Sequence, residues 1–111
     1  MSATFVHDGA TVDYTPGAAV TAGDVVVQAD LIGVAKLDID ANALGALAVE
    51  GVFDFPKDTS STSAIAVGTQ LYWDAANEVA TATVGANKYI GKAVKAAAAT
   101  SASTVRVRMS Q

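Results

Sequence analysis

Asp38-x-Asp40-x-Asn42 is the nearest approach to a metal motif in this chain. Oxygen ligands at alternate positions open a calcium loop of the helix–loop–helix kind. That loop needs Gly at its sixth position and a bidentate Glu at its twelfth, where this chain has Ala43 and Val49, with Glu50 one place late. Strongly helical flanks are missing too, so the expected role of Asp38 to Asn42 is a solvated strand end entering a turn. His7 is the single histidine and no Cys is present. A thiolate metal site, a disulfide framework and a Cys nucleophile are therefore excluded, and zinc would need an unusual carboxylate-dominated set. Asp8 follows His7 directly, and neighbours on a strand point to opposite faces, so the two cannot act as base and orienter. The chain has no G-x-x-x-x-G-K-[ST] loop, no G-x-G-x-x-G after a strand and no G-x-S-x-G elbow. No pair of carboxylates sits in an apolar setting. The residues predict no catalytic, cofactor-binding or metal site and no enzyme.

What remains is a scaffold, and its composition sets the class. A length of 111 residues fits one domain. The hydrophobic share is 51% against 16% charged, yet much of it is Ala, and aromatic residues are only 6%. The core of a single chain is expected to be thin, which favours association as a source of stability. No run approaches the roughly 20 apolar residues of a membrane helix. The first eight residues lack a basic and then an apolar region, so no signal peptide and a cytoplasmic site of synthesis are expected.

Net charge is −4, which argues against nucleic-acid binding. Its distribution says more. All eleven acidic residues lie between Asp8 and Glu78, while the only charges beyond Glu78 are Lys88, Lys92, Lys95, Arg106 and Arg108. Either basic strands pair beside acidic ones within one domain, or opposite charges meet across a subunit boundary and set orientation there.

Period-two alternation dominates the chain. Thr11 to Thr15 places Val12 and Tyr14 on one face, and Pro16-Gly17 ends the run. Asp24 to Gln28 is β-branched and reads as a strand buried on both faces. Leu31 to Ile39 sets Leu37 and Ile39 against Lys36, Asp38 and Asp40. Leu47, Val49, Phe53 and Phe55 oppose Glu50 and Asp54 until Pro56. Residues 57–63 form a polar, Ser/Thr-rich stretch expected to be a mobile loop. Leu71 and Trp73 share a face, Asp74 to Glu78 reads as a hairpin connection, and Val79 to Val84 continues as a strand. Gly85 to Asn87 is a turn; Val105 and Val107 then oppose Arg106 and Arg108. Two Ala-rich stretches have helical propensity. Ala41 to Leu47 could hold one helical turn, whereas Ile90, Val94 and the later V-R-V-R favour a strand around Lys92 to Ala99. The prediction is a mainly β fold: a single small antiparallel β-sandwich or barrel-like domain with short connections.

Trp73 is either a core anchor or an interface anchor, and sharing its face with Leu71 favours the core. Tyr72 lies on the opposite face and is the better contact residue. Arg106 and Arg108 point outward from the last run as solvated charges or as interfacial donors.

Three stretches carry a resemblance to a known family: Gly68-Thr-Gln-Leu-Tyr-Trp-Asp74, Ile90-Gly-Lys-Ala-Val94 and the closing Val105-Arg-Val-Arg108. With weaker likeness at Phe5-Val-His-Asp-Gly9, Gly23-Asp-Val-Val-Val27, Gly33-Val34 and Val49-Glu-Gly-Val-Phe53, the chain resembles the capsid cement (head decoration) proteins of tailed bacteriophages. Relatives have sometimes carried a recombinase-like label, which the missing phosphate loop does not support. The stretch from Thr59 to Ser63 is the main departure from the family.

The resemblance implies a structural virion protein on the exterior of an expanded head, stabilising it against internal DNA pressure. The implied partners are the major capsid protein of the same phage and two further copies in a homo-trimer, with no nucleic acid, membrane or small-molecule substrate. Residues 1–9 are expected to form an extended N-terminal arm on a domain of residues 10–111, with Phe5 and Val6 as its contacts; simple fraying is the alternative. The candidate interface is Phe5, Val6, Tyr72, Arg106 and Arg108. A tail or head-completion component, and a surface receptor- or glycan-binding module, are the competing readings.

Overall fold

The computed structural model describes residues 2–59, 64–99 and 102–111. Among them are nine strands: β1 (Thr11–Tyr14), β2 (Val25–Gln28), β3 (Leu31–Ala35), β4 (Gly45–Ala48), β5 (Glu50–Pro56), β6 (Gln70–Asp74), β7 (Val79–Thr81), β8 (Lys88–Ala93) and β9 (Thr104–Ser110). They form a four-stranded sheet of order β1-β4-β3-β2 and a five-stranded sheet of order β5-β9-β8-β6-β7. All the pairings between strands are antiparallel. The fold is thus an all-β sandwich, and no helix is present among the described residues.

Alternation explains the larger sheet. In β9, Val105, Val107 and Met109 are buried while Arg106 and Arg108 are exposed. Phe53 and Phe55 of β5, Leu71 and Trp73 of β6 and Ile90 of β8 join them in one cluster, which Ile32 and Val34 of β3 cover from the smaller sheet. Each fully buried Leu, Ile, Val or Phe of this kind contributes about 1.5–3 kcal/mol relative to exposure. Trp73 is a core residue, with its ring edge-on to Phe55 at 6.0 Å.

The smaller sheet has apolar contacts on both faces. Behind it, Ala35, Ile39 and Leu47 pack with Val12, Tyr14, Val20 and Val26 in a second cluster. β3 is accordingly buried along almost its whole length. β2 is an edge strand, as is β1. Val25 leans on the main core and Val26 on the second cluster, but Val27 is exposed, so the expectation of a strand buried on both faces holds only in part.

Other expectations are corrected by local geometry. The run Leu31 to Ile39 leaves the sheet at Ala35, which exposes Leu37, while Ile39 returns to bridge Val20. Ala41 to Leu47 holds no helical turn: Asn42 takes a positive φ of 64° in a turn and donates its N–H to the Pro16 carbonyl. The alternating residues from Leu47 to Phe55 belong to two sheets, because the chain crosses over at Val49. β7 stops at Thr81 rather than Val84, since the Thr81 hydroxyl accepts the Thr83 N–H and turns the chain. The Ala-rich segment after Lys92 follows the strand pattern only to Ala93.

Of the polar stretch at 57–63, residues 60–63 lie outside the described residues. Its start is tied down: the Lys57 N–H donates to Ser103 O and the Asp58 N–H to Ala80 O. Lys57 is buried, and its ammonium donates to the carbonyls of Asp58 and Ala99.

Candidate functional site

The residues with chemical potential serve the scaffold. Asp38 Oδ1 accepts the Ala22 N–H at 2.7 Å, the Asp40 carbonyl accepts the Ala43 N–H, and Asn42 takes the positive φ of the turn between them. His7 Nδ1 lies 2.6 Å from the carbonyl oxygen of Asp8 at an exposed site. An open polar cleft of about 440 Å³ is lined by Asp58, Asp74, Asn77, Thr81, Thr83 and Asn87, among others. Its carboxylates are engaged: Asp74 accepts the N–H groups of Ala76 and Asn77 and the Asn77 side-chain amide, while Thr81 donates to Asp58. The Asn77 bonds hold the Asp74 carboxyl below its ordinary range. No group of three or more potential metal ligands occurs among the described residues.

Three of the five predicted interface residues come together on the outer face of the larger sheet. Alternation in β6 turns Leu71 and Trp73 inward and Tyr72 outward, where it meets Tyr89 of β8 edge-on at 5.8 Å. The Tyr72 hydroxyl donates to Gln70 Oε1 at 3.1 Å. Arg106 and Arg108 project from β9 on the same face. Arg106 is opposite Asp54 of β5 and binds its two carboxylate oxygens through Nε (2.9 Å) and Nη2 (3.2 Å). That bond holds the Asp54 carboxyl below its usual range. Arg108 is opposite Val52 on one side and Lys92 of β8 on the other.

Phe5 and Val6 belong to no strand of that face; they lie in the segment before β1 and are 79% and 81% exposed. The candidate residues thus divide between a paired sheet face and a terminal segment. The sequence reading missed Val52, Tyr89 and Lys92 on the sheet face, although the pairing register brings them beside Tyr72 and Arg108. It also missed an apolar groove at the smaller sheet, where exposed Leu37 and Leu44 lie beside Ala46 and Ala48.

The acidic body and basic end partly neutralise each other within the chain. Lys88 pairs with Asp30 at 2.6 Å and Arg106 with Asp54, both at exposed or half-exposed positions. The Lys88 hydrogen bond lowers the Asp30 carboxyl from its ordinary value.

Comparison with known proteins bears on this arrangement of exposed faces around a sealed core. Neither the curated proteins nor the solved structures give a match. A family model described as phage cement protein matches residues 6–109, nearly the whole chain and all nine strands but for the last residue of β9. The chain belongs to the phage cement protein family.

Proposed function

We propose that this cement protein binds the outer surface of an expanded phage head and stabilises the shell against the pressure of packaged DNA. A phage structural role at the capsid follows from its family. The finer reading is supported by the outer face of the larger sheet, where Val52 and Arg108 are exposed and the half-buried Tyr72 and Tyr89 stand on paired strands beside them. A decoration protein needs no chemistry, only a rigid face and a way to repeat it. The partner is the major capsid protein of the same phage. A homo-trimer supplies repetition, because tethering on a lattice multiplies modest contacts into high avidity.

Residues 2–8 are the arm in this reading. Phe5 and Val6 offer exposed apolar side chains outside any strand of the chain, suited to adding beside an edge strand of a neighbour. Synthesis takes place in the host cytoplasm, with assembly onto the head exterior.

Co-sedimentation with purified expanded heads and with unexpanded procapsids tests the role. Saturable binding to expanded heads alone is expected, at a stoichiometry fixed per capsomer. Binding to neither form would overturn it in favour of a tail component or a receptor-binding module.

A further inference from the structure

The cations of the chain have unequal fates. Lys88 and Arg106 pair with Asp30 and Asp54, and Lys57 is buried against carbonyl oxygens. Lys92 and Arg108 differ. Like Lys36 and Lys95 they have no carboxylate within ion-pair distance among the described residues, but they alone of these cations face each other directly, across β8 and β9, and both are exposed. Like charges set directly opposite on one sheet face destabilise the pairing. Glu50 and Asp54 flank Val52 on the same face of β5, but Asp54 is engaged by Arg106 and neither forms an ion pair with Lys92 or Arg108, so among the described residues this repulsion has no direct counter-ion.

Their surroundings form a docking face. Pairing register places Gln70, Lys92, Arg108 and Val52 in one row across four strands. Val52 is 55% exposed at one end, and the Tyr72–Tyr89 pair stands beside the row. Apolar and aromatic surface beside an unneutralised pair of cations suits a partner that brings both apolar contact and carboxylates.

We propose that this face, centred on Lys92 and Arg108, is the shell-binding surface, and that it receives an acidic, carboxylate-bearing patch of the capsid exterior. The inference rests on the head-binding role proposed above. A chain of net charge −4 would be repelled by an acidic shell as a whole. Concentrating unpaired positive charge on one face reverses the local interaction and turns that face toward the shell during encounter. A carboxylate placed between Lys92 and Arg108 also relieves their mutual repulsion, so binding recovers what the free protein loses.

The test uses Lys92→Gln, Arg108→Gln and their double variant, with Lys36→Gln, in the segment that follows β3 of the other sheet, as a control of equal charge change. Thermal unfolding is measured beside co-sedimentation with expanded heads at low and physiological salt. Both single variants are expected to melt at or above the parent temperature. Each is expected to bind heads about tenfold or more weakly at low salt, with a flatter salt dependence. The control should bind like the parent. Failure of the parent protein to bind heads would remove the head-binding role itself. Parent binding matched by the double variant, with unchanged salt dependence, would overturn the face assignment alone. So would unchanged head binding with lost self-association in sedimentation velocity, which would assign the face to a second copy.

Discussion

The carboxamide of Gln111 stands in for a missing strand beside Ile32. Its Oε1 accepts the Ile32 N–H and its Nε2 donates to the Ile32 carbonyl, both at 2.6 Å. The vacancy has a clear origin. β3 pairs with β4 only at Val34 and Ala35, because the chain leaves the smaller sheet at Val49 to start β5 in the other. Ile32 is fully buried, so its peptide groups on that side need a partner.

Gln111→Ala should therefore cost about 1–3 kcal/mol, the penalty for leaving buried backbone groups unpaired. Denaturant unfolding measures it, and hydrogen exchange at the Ile32 amide should accelerate in the variant. An unchanged midpoint with unchanged exchange would mean that water substitutes fully for the carboxamide.

Gly91 has a comparable structural duty in the larger sheet. A Cβ built there would lie 1.9 Å from the Arg108 carbonyl oxygen and 3.0 Å from Met109 Cα. These are backbone atoms of the paired strand, beside the register shift where β8 meets β6, and they cannot rotate away. Gly91→Ala should destabilise by about 3 kcal/mol or more, at the upper end of overpacking costs. Gly17→Ala meets nothing within 4 Å and should change stability by less than about 0.5 kcal/mol. Chemical denaturation of the two variants side by side checks the contrast.

The Arg106–Asp54 pair gives a pH signature with a defined sign. Its hydrogen bonds lower the Asp54 carboxyl below the unfolded value, which is near 3.9. Its contribution is thus fully present above that unfolded value and is lost as pH falls through the lower folded one. The stability gap between the parent protein and Asp54→Asn should stay constant from pH 7 down to about 5 and close below about 4. Added salt should narrow the gap at neutral pH, since the pair is half-exposed. Urea midpoints across pH 3 to 7 would reveal it, and a gap that widened on acidification would contradict the assignment.

Alternation made the larger sheet legible. A period of two fixes which side of β6 and β9 faces the core, so Leu71, Trp73, Val105 and Val107 were readable as buried and Tyr72, Arg106 and Arg108 as outward. The smaller sheet was harder to read because it is covered on both faces, by the larger sheet on one and by the segments of Val20 and Ile39 on the other. Apolar residues there follow no single face, and Leu37 looks like a core residue only while the strand is assumed to continue. The crossover at Val49 was hidden for a related reason: alternation persists through it while the sheet changes. The candidate surface was half visible for want of pairing. Tyr72 and Arg108 stand out by type, but Lys92, Tyr89 and Val52 join them only through a register that no local pattern encodes.

The segment of residues 2–8 separates folding from assembly most directly. Phe5 and Val6 are the most exposed large apolar side chains of the chain's described residues, and the two core clusters draw nothing from them. Removing residues 2–8 should therefore leave the unfolding midpoint unchanged to within about 0.5 kcal/mol, as for surface changes that touch no core. Exposed apolar side chains do have a use once a second surface arrives to cover them. The truncated protein should thus sediment less with expanded heads or fall in mass below the parent assembly, with its fold intact. Circular dichroism, sedimentation velocity and head co-sedimentation on one preparation distinguish these outcomes. Parent-like mass and parent-like head binding would reduce the segment to a frayed terminus, with assembly then carried by the sheet face alone.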